Sequence, residues 1–318
     1  ELPGRHFRWR IRGNPLSWLN ELPDNEPDLI LATSMVDLAT LKGLHPRLAA
    51  VPSLYYFHEN QFAYPLNDNQ VASVEPMMVQ LYGALTADQL LFNSNFNRDS
   101  FLQGVADLLQ RFPDNVPHGI SDRLSAKCAV LPLMIDAIDH QLTGDAQIKN
   151  SKLILWNHRW EYDKAPQIFS DALVKLKHRG VEFELALLGP RPAKKPACLL
   201  EIEQNLNGCI IANGRLPRDE YIDYVSRASI VVSTAIHEYQ GLSVMEAVSA
   251  GAVPLVPDAL CYREQYPEEY RYQQGDSDAL SERLHDYLMK LPESPDVSYW
   301  SSETLLESWQ QKILGSLC

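Results

Sequence analysis

The run Ser229-Ile230-Val231-Val232-Ser233-Thr234-Ala235-Ile236-His237-Glu238-Tyr239-Gln240-Gly241-Leu242-Ser243-Val244-Met245-Glu246-Ala247 reads as a strand, a polar loop and the opening of a helix. Residues 229–232 are a short apolar run of strand type. Gly241 permits a tight turn and a close backbone approach. The free N–H groups of Leu242 and Ser243 then sit at a helix N-terminus, where an anion is favoured. Glu238 stands before that terminus and Glu246 on a later helical turn. A loop carboxylate and a helical carboxylate flanking an anion site suit a sugar nucleotide, one acid for sugar hydroxyls and the other for the ribose.

The same alternation extends outward in both directions. Strand-like runs lie at 29–32, 53–57, 90–92, 128–131, 152–156, 183–188 and 252–256. Helix-length segments between them include 76–86, 97–109, 166–177 and 242–250. Short apolar strands alternating with helices mean βαβ units and parallel sheets, so the chain is α/β. Its 318 residues accommodate two domains. Apolar density falls at 136–150, around Thr143-Gly144-Asp145, which reads as a linker. The expectation is two Rossmann-like domains facing across a cleft, 1–145 on the acceptor side and 146–300 on the donor side. Residues 301–318 form a terminal helix, with Leu305, Trp309 and Ile313 spaced four apart. That helix is expected to pack back toward the N-terminal domain. The opening Glu1-Leu2-Pro3-Gly4-Arg5 is not a strand–loop–helix start, so the first domain reads as lacking its leading unit.

Composition narrows the class. Lys and Arg number 28 against 41 Asp and Glu, a net charge of −13 that disfavours a general nucleic-acid coat. Apolar residues make up 45%, enough to fill a core and exclude bulk disorder. No stretch approaches the ~20 apolar residues of a membrane span. The five cysteines, Cys128, Cys198, Cys209, Cys261 and Cys318, are odd in number and never at C-x-x-C spacing. They read as small buried residues in a reducing compartment, hence a cytoplasmic location.

Three more stretches carry chemistry. Asn157-His158-Arg159-Trp160-Glu161-Tyr162-Asp163-Lys164 leaves a strand end, and Arg159 and Lys164 are expected to present two cations to an anionic ligand. Tyr55-Tyr56-Phe57-His58-Glu59-Asn60-Gln61 places four polar groups directly after an apolar strand. His58 there suits a hydrogen bond to a sugar hydroxyl or a proton shuttle. Arg5-His6-Phe7-Arg8-Trp9-Arg10-Ile11-Arg12 concentrates Arg5, Arg8, Arg10 and Arg12 beside two aromatics. It reads either as an RNA contact, with Phe7 and Trp9 as stacking faces, or as a charged edge with its aromatics in the core.

Glu238 and Glu246 resemble the E-x7-E signature of family 4 retaining glycosyltransferases of the GT-B fold. Arg159 and Lys164 resemble that family's diphosphate-gripping pair, and Ser94 in Phe92-Asn93-Ser94-Asn95-Phe96 its serine motif. The patterns His58-Glu59-Asn60, His158-Arg159-Trp160-Glu161, and Leu2-Pro3-Gly4-Arg5-His6 with Trp9-Arg10 are similar to the tRNA-queuosine α-mannosyltransferase subfamily over essentially the whole chain. That resemblance implies transfer of mannose from GDP-mannose to queuosine in tRNA. The subfamily's opening Gly-Gly-Ser-His loop has no counterpart here, and Leu131-Pro132-Leu133-Met134-Ile135-Asp136 lacks the Gly that usually precedes the Asp.

The residues and the resemblance together give a retaining, metal-independent glycosyltransferase, with no DxD-type carboxylate pair on a strand-end loop and no cofactor. Its expected catalytic residues are His58 and Glu238. Arg159, Lys164, Gly241, Leu242, Ser243 and Glu246 would hold the donor. Glu59, Asn60, Gln61 and the four arginines would hold the acceptor. A GT-B enzyme using another nucleotide sugar, a sugar-nucleotide epimerase of the same fold, and a non-catalytic nucleotide- or tRNA-binding module are the rivals.

Overall fold

The computed structural model describes residues 6–65, 73–136 and 149–317, apart from the side chain at position 8. The chain divides into two compact units, Glu1–Leu133 with Leu306–Cys318, and Met134–Leu305. Most of the expected linker, 137–148, lies outside the described residues, as does Arg5.

The first unit carries β1 (Ile30–Thr33), β2 (Ser53–Phe57), β3 (Gln89–Phe92) and β4 (Cys128–Val130), with α1 (Phe7–Ser17) ahead of them. Between the strands run α2 (Leu38–Leu44), α3 (Glu75–Thr86), α4 (Asn95–Gln110) and α5 (Ile120–Ser125). The strands pair in parallel in the order β1-β2-β3-β4. Every residue of β2 is buried because both faces are covered. Tyr55 and Phe57 join a core with Leu90, Phe92, Phe101 and Val105, while Leu54 and Tyr56 join Leu91 and Leu131 in a second cluster. Ser94 caps α4 by accepting the Asn97 N–H at 3.0 Å, and Phe101, Val105 and Leu108 line its buried stripe.

The second unit carries β5 (Asn150–Trp156), β6 (Glu184–Leu188), β7 (Ile210–Gly214), β8 (Ala228–Val232), β9 (Val253–Pro257) and β10 (Arg271–Tyr272). Its helices are α6 (Pro166–His178), α7 (Ala197–Asn205), α8 (Arg218–Arg227), α9 (Leu242–Ser249), α10 (Tyr262–Gln265) and α11 (Ser277–Met289). All pairings are parallel, in the order β10-β9-β8-β5-β6-β7. The sheet grows one way from β5 to β6 and β7, and the other way through β8 to β10. That reversal is a topological switch point, where an open α/β sheet leaves a crevice at its strands' carboxyl ends. Phe169, Ala172, Leu173 and Leu176 give α6 a buried stripe at helical spacing. Both units are Rossmann-like. A final helix, α12 (Ser302–Leu314), places Trp309 and Ile313 on the second cluster of the first unit. There the Trp309 indole donates to the Pro132 carbonyl at 3.0 Å.

The structure departs from the sequence reading at α1, β7, α8 and the two-residue β10. The basic segment is the helix α1, and its aromatics are not in the core: Phe7 is 44% and Trp9 55% exposed, while Ile11 is buried. β7 and the polar α8 carry no clear signal in the sequence. In β7 only Ala212 is buried, and in α8 Ile222 and Val225 are the buried apolar residues, so neither shows a strong apolar pattern. Among the described residues, no helix is long and apolar enough to cross a membrane.

Candidate functional site

The switch point of the second unit brings two loops together, 157–165 after β5 and 233–241 after β8. The Ile236 and His237 N–H groups donate to the Asp163 carbonyl at 2.9 and 3.3 Å. The Thr234 hydroxyl donates to the Lys164 carbonyl at 2.7 Å. Gly189, after β6, has φ +105° and lies so close to the His158 carbonyl that a Cβ would collide with it. These contacts fix where the polar side chains point.

Lys164 is nearly buried, at 7% exposure. Its three ammonium protons face the His237 carbonyl at 2.9 Å, Glu238 Oε2 at 3.1 Å and Asp163 Oδ2 at 3.2 Å. Burial alone would lower its pKa, but the Glu238 and Asp163 charges outweigh burial and raise it. Burial likewise opposes ionisation of Glu238, and the Lys164 charge overcomes it, holding the carboxyl below its ordinary range. Both are therefore charged at neutral pH. The expected pair of presented cations is thus unequal. Arg159 is half exposed and sits between Glu161 at 3.1 Å and Asp163 at 3.5 Å, whereas Lys164 is spent on its own neighbours.

Gly241 is the N-cap of α9, at φ 70°, with no side-chain cap and no acidic residue in the first turn. A Cβ there would stand 2.9 Å from the Tyr262 ring, so both conformation and space require glycine. The Glu238 carboxylate accepts from the Gly241 N–H, and the Leu242 and Ser243 N–H groups of the α9 N-terminus are left for an anion. The Ser243 hydroxyl lies 3.0 Å from His158 Nδ1. Burial, then the Lys164 charge, pushes His158 down to about 4, so its imidazole is neutral. Glu246 Oε1 accepts from Arg218 at 2.8 Å and Oε2 from the Tyr221 hydroxyl at 2.6 Å. Tyr221 in turn accepts from Asn157 Nδ2 at 3.2 Å. The sequence gives no signal for Arg218, Tyr221 or Asn157 as site residues: α8 carries no motif, and Asn157 only opens the cationic loop.

In the first unit, the loop after β2 is held largely by its own polar groups. Asn60 is fully buried. Its Nδ2 donates to Asn97 Oδ1 at 2.7 Å and the Ser100 hydroxyl at 3.1 Å, and its Oδ1 accepts the Phe62 and Ala63 N–H groups. Asn60, expected as an acceptor contact, shows a role in building the loop. The Asn93 amide donates to the His58 carbonyl at 3.0 Å and the Ser34 hydroxyl to the Glu59 carbonyl at 2.7 Å. The Gln61 amide donates to Glu59 Oε1 at 3.0 Å. The His58 and Glu59 side chains stay partly exposed, and burial holds the His58 imidazole below its ordinary range, hence neutral. In α1, Arg12 pairs with the buried Asp37 at 3.0 Å and Arg10 is partly buried. Among the described residues no three His, Cys, Asp or Glu side chains converge as a metal site.

Comparison with known proteins follows the two units. Residues 1–135 match the tRNA-queuosine alpha-mannosyltransferase N-terminal family, and residues 143–297 match glycosyl transferases group 1. A protein of Drosophila melanogaster named tRNA-queuosine alpha-mannosyltransferase is 34% identical over 296 residues, 90% of this chain and 78% of that one. Among solved structures, a sucrose-phosphate synthase from Thermosynechococcus elongatus has a TM-score of 0.68 at 13% identity, covering 99% of this chain and 80% of that one. An alpha,alpha-trehalose-phosphate synthase (UDP-forming) from Burkholderia xenovorans gives 0.67 at 14%, covering 100% and 79%. The pneumococcal O-GlcNAc transferase GtfA, in complex with UDP and GlcNAc, gives 0.65 at 15%, covering 95% and 59%. These structures share the GT-B architecture of two Rossmann-like domains, and the chain, a glycosyltransferase, belongs to the tRNA-queuosine alpha-mannosyltransferase family.

Proposed function

We propose that this chain transfers mannose from GDP-mannose to queuosine in tRNA, with retention and without a metal. The observation that carries the donor reading is the open α9 N-terminus beside the Lys164–Glu238 pair and Arg159 at the switch point. The tRNA acceptor rests on the family, whose relative carries that name.

In this mechanism the bond from the sugar's anomeric carbon to the diphosphate oxygen breaks, and one to the acceptor hydroxyl oxygen forms on the same face. The acceptor proton passes to the departing phosphate oxygen. Arg159 and the Leu242 and Ser243 N–H groups stabilise the charge that develops there, and Lys164 acts through its ion pair with Glu238. Glu238 holds the mannosyl hydroxyls, and Lys164 keeps it ionised for that task. Glu246 holds the ribose, and His58, as a neutral imidazole, orients a sugar hydroxyl. Glu59, Gln61 and the basic helix α1 form the acceptor side. The chain works in the reducing cytoplasm, in keeping with four free cysteines among the described residues.

Incubation of the chain with GDP-mannose and queuosine-containing tRNA, in excess chelator, is the test. The expected outcome is mannosylated tRNA and released GDP, with Glu238→Ala lowering kcat and Glu246→Ala raising KM for the donor. Transfer that requires added metal would remove the metal-free part. GDP release that ignores the acceptor would leave only a nucleotide-sugar hydrolase.

A further inference from the structure

We propose that Tyr221, supported by Arg218, is a positioning residue that aims the Glu246 carboxylate at the ribose diol and so makes the site select ribonucleotide over 2′-deoxyribonucleotide donors. The inference rests on the reading of Glu246 as the ribose contact.

The geometry comes from α8. Arg218 and Tyr221 are one turn apart on it, with the guanidinium 5.3 Å from the Tyr221 ring centroid. Arg218 donates to Glu246 Oε1 and Tyr221 to Oε2, so each carboxylate oxygen is engaged once by protein. A carboxylate oxygen has about two acceptor sites. One therefore remains on each oxygen, which matches two adjacent ribose hydroxyls donating side by side. The two anchors are not equivalent. Arg218 is 68% exposed, and an exposed ion pair holds geometry weakly. The phenol is tied at a second point, since it accepts from Asn157 Nδ2, which also donates to the Ser243 carbonyl at 2.7 Å. Tyr221 thus links the end of β5 and the first turn of α9 to one carboxylate. Burial, then the Glu246 charge, raises its pKa, so the hydroxyl remains a donor. Without it, the Glu246 carboxylate loses its fixed direction.

The test is calorimetry of GDP and 2′-deoxy-GDP binding to the full chain and to Tyr221→Phe. The parent is expected to favour GDP by about tenfold, the scale of a hydrogen bond to a charged group. Tyr221→Phe is expected to cut that preference to roughly two- to threefold, with 2′-deoxy-GDP affinity nearly unchanged, because only the diol contact depends on the aim. Arg218→Gln should reduce the preference less. Tyr224→Phe, on the same helix with its hydroxyl directed to the Ile211 carbonyl, should leave both affinities as they were. A parent that does not discriminate removes the ribose reading of Glu246. A parent that discriminates while Tyr221→Phe keeps the full preference, or weakens both ligands equally, overturns the positioning role and leaves that reading standing.

Discussion

Lys164 shows how a motif residue takes its meaning from its neighbours. Its spacing from Arg159 is legible along the chain, but its pairing with Glu238, 74 positions away, exists only once the two loops meet. The same packing buries two imidazoles. His158 and His237 are both pushed down to about 4, first by burial and then by the Lys164 charge. Lys164, Arg159, Asp163 and Glu238 are the charged groups that bear on His237. The native state therefore keeps both neutral while the unfolded chain takes up protons through about pH 6.5. The stability they contribute is complete above that pH and is lost as pH falls from about 6.5 to about 4. Urea titrations should show unfolding free energy falling by up to about 2–3 kcal/mol per histidine at pH 4.5. His237→Gln should remove about one proton from the slope; an unchanged slope would refute the assignment.

At the scale of elements, α1 depends on Asn14 more than on its own propensity. Pro15 lies inside the helix and has no N–H to give the Ile11 carbonyl. Asn14 Nδ2 reaches that carbonyl at 3.3 Å, the Arg10 carbonyl at 2.8 Å and the Met35 carbonyl at 2.9 Å. Its Oδ1 accepts the Asp37 N–H at 3.1 Å. One buried amide therefore completes the helix and fastens it to the turn after β1. Asn14→Ala leaves these groups unpaired and is expected to cost about 2–3 kcal/mol. Asn14→Asp, which accepts but cannot donate, should recover little of this in thermal melts. Recovery to parent stability would place the anchor elsewhere.

For the whole molecule, a net charge of −13 means that any RNA contact is local. The exposed Phe7 and Trp9 on α1 suit base stacking, and the helix carries no acidic residue. Arg12 must be spared in a test, because its loss leaves the buried Asp37 carboxylate without a cation. Replacing Arg5, Arg8 and Arg10 with Gln is expected to weaken tRNA binding and flatten its salt dependence by up to about 3 in slope, with GDP affinity unchanged. Gel shifts at several salt concentrations measure this, and parent-like tRNA binding would move the acceptor contact to His58 and Glu59. By itself the sequence determined the α/β class, eight of the strands, and the strand–loop–helix run with Gly241 and its flanking acids. These are local properties: continuous apolar strands, a glycine-dependent turn and an open helix terminus are written in consecutive residues. Only the tertiary structure decided that Lys164 is buried against Glu238 rather than presented, that Asn60 builds its loop, and that Arg218 and Tyr221 hold Glu246. Each depends on elements far apart in sequence, and a hydrogen bond or ion pair leaves no trace in the chain until folding brings its partners within about 3 Å.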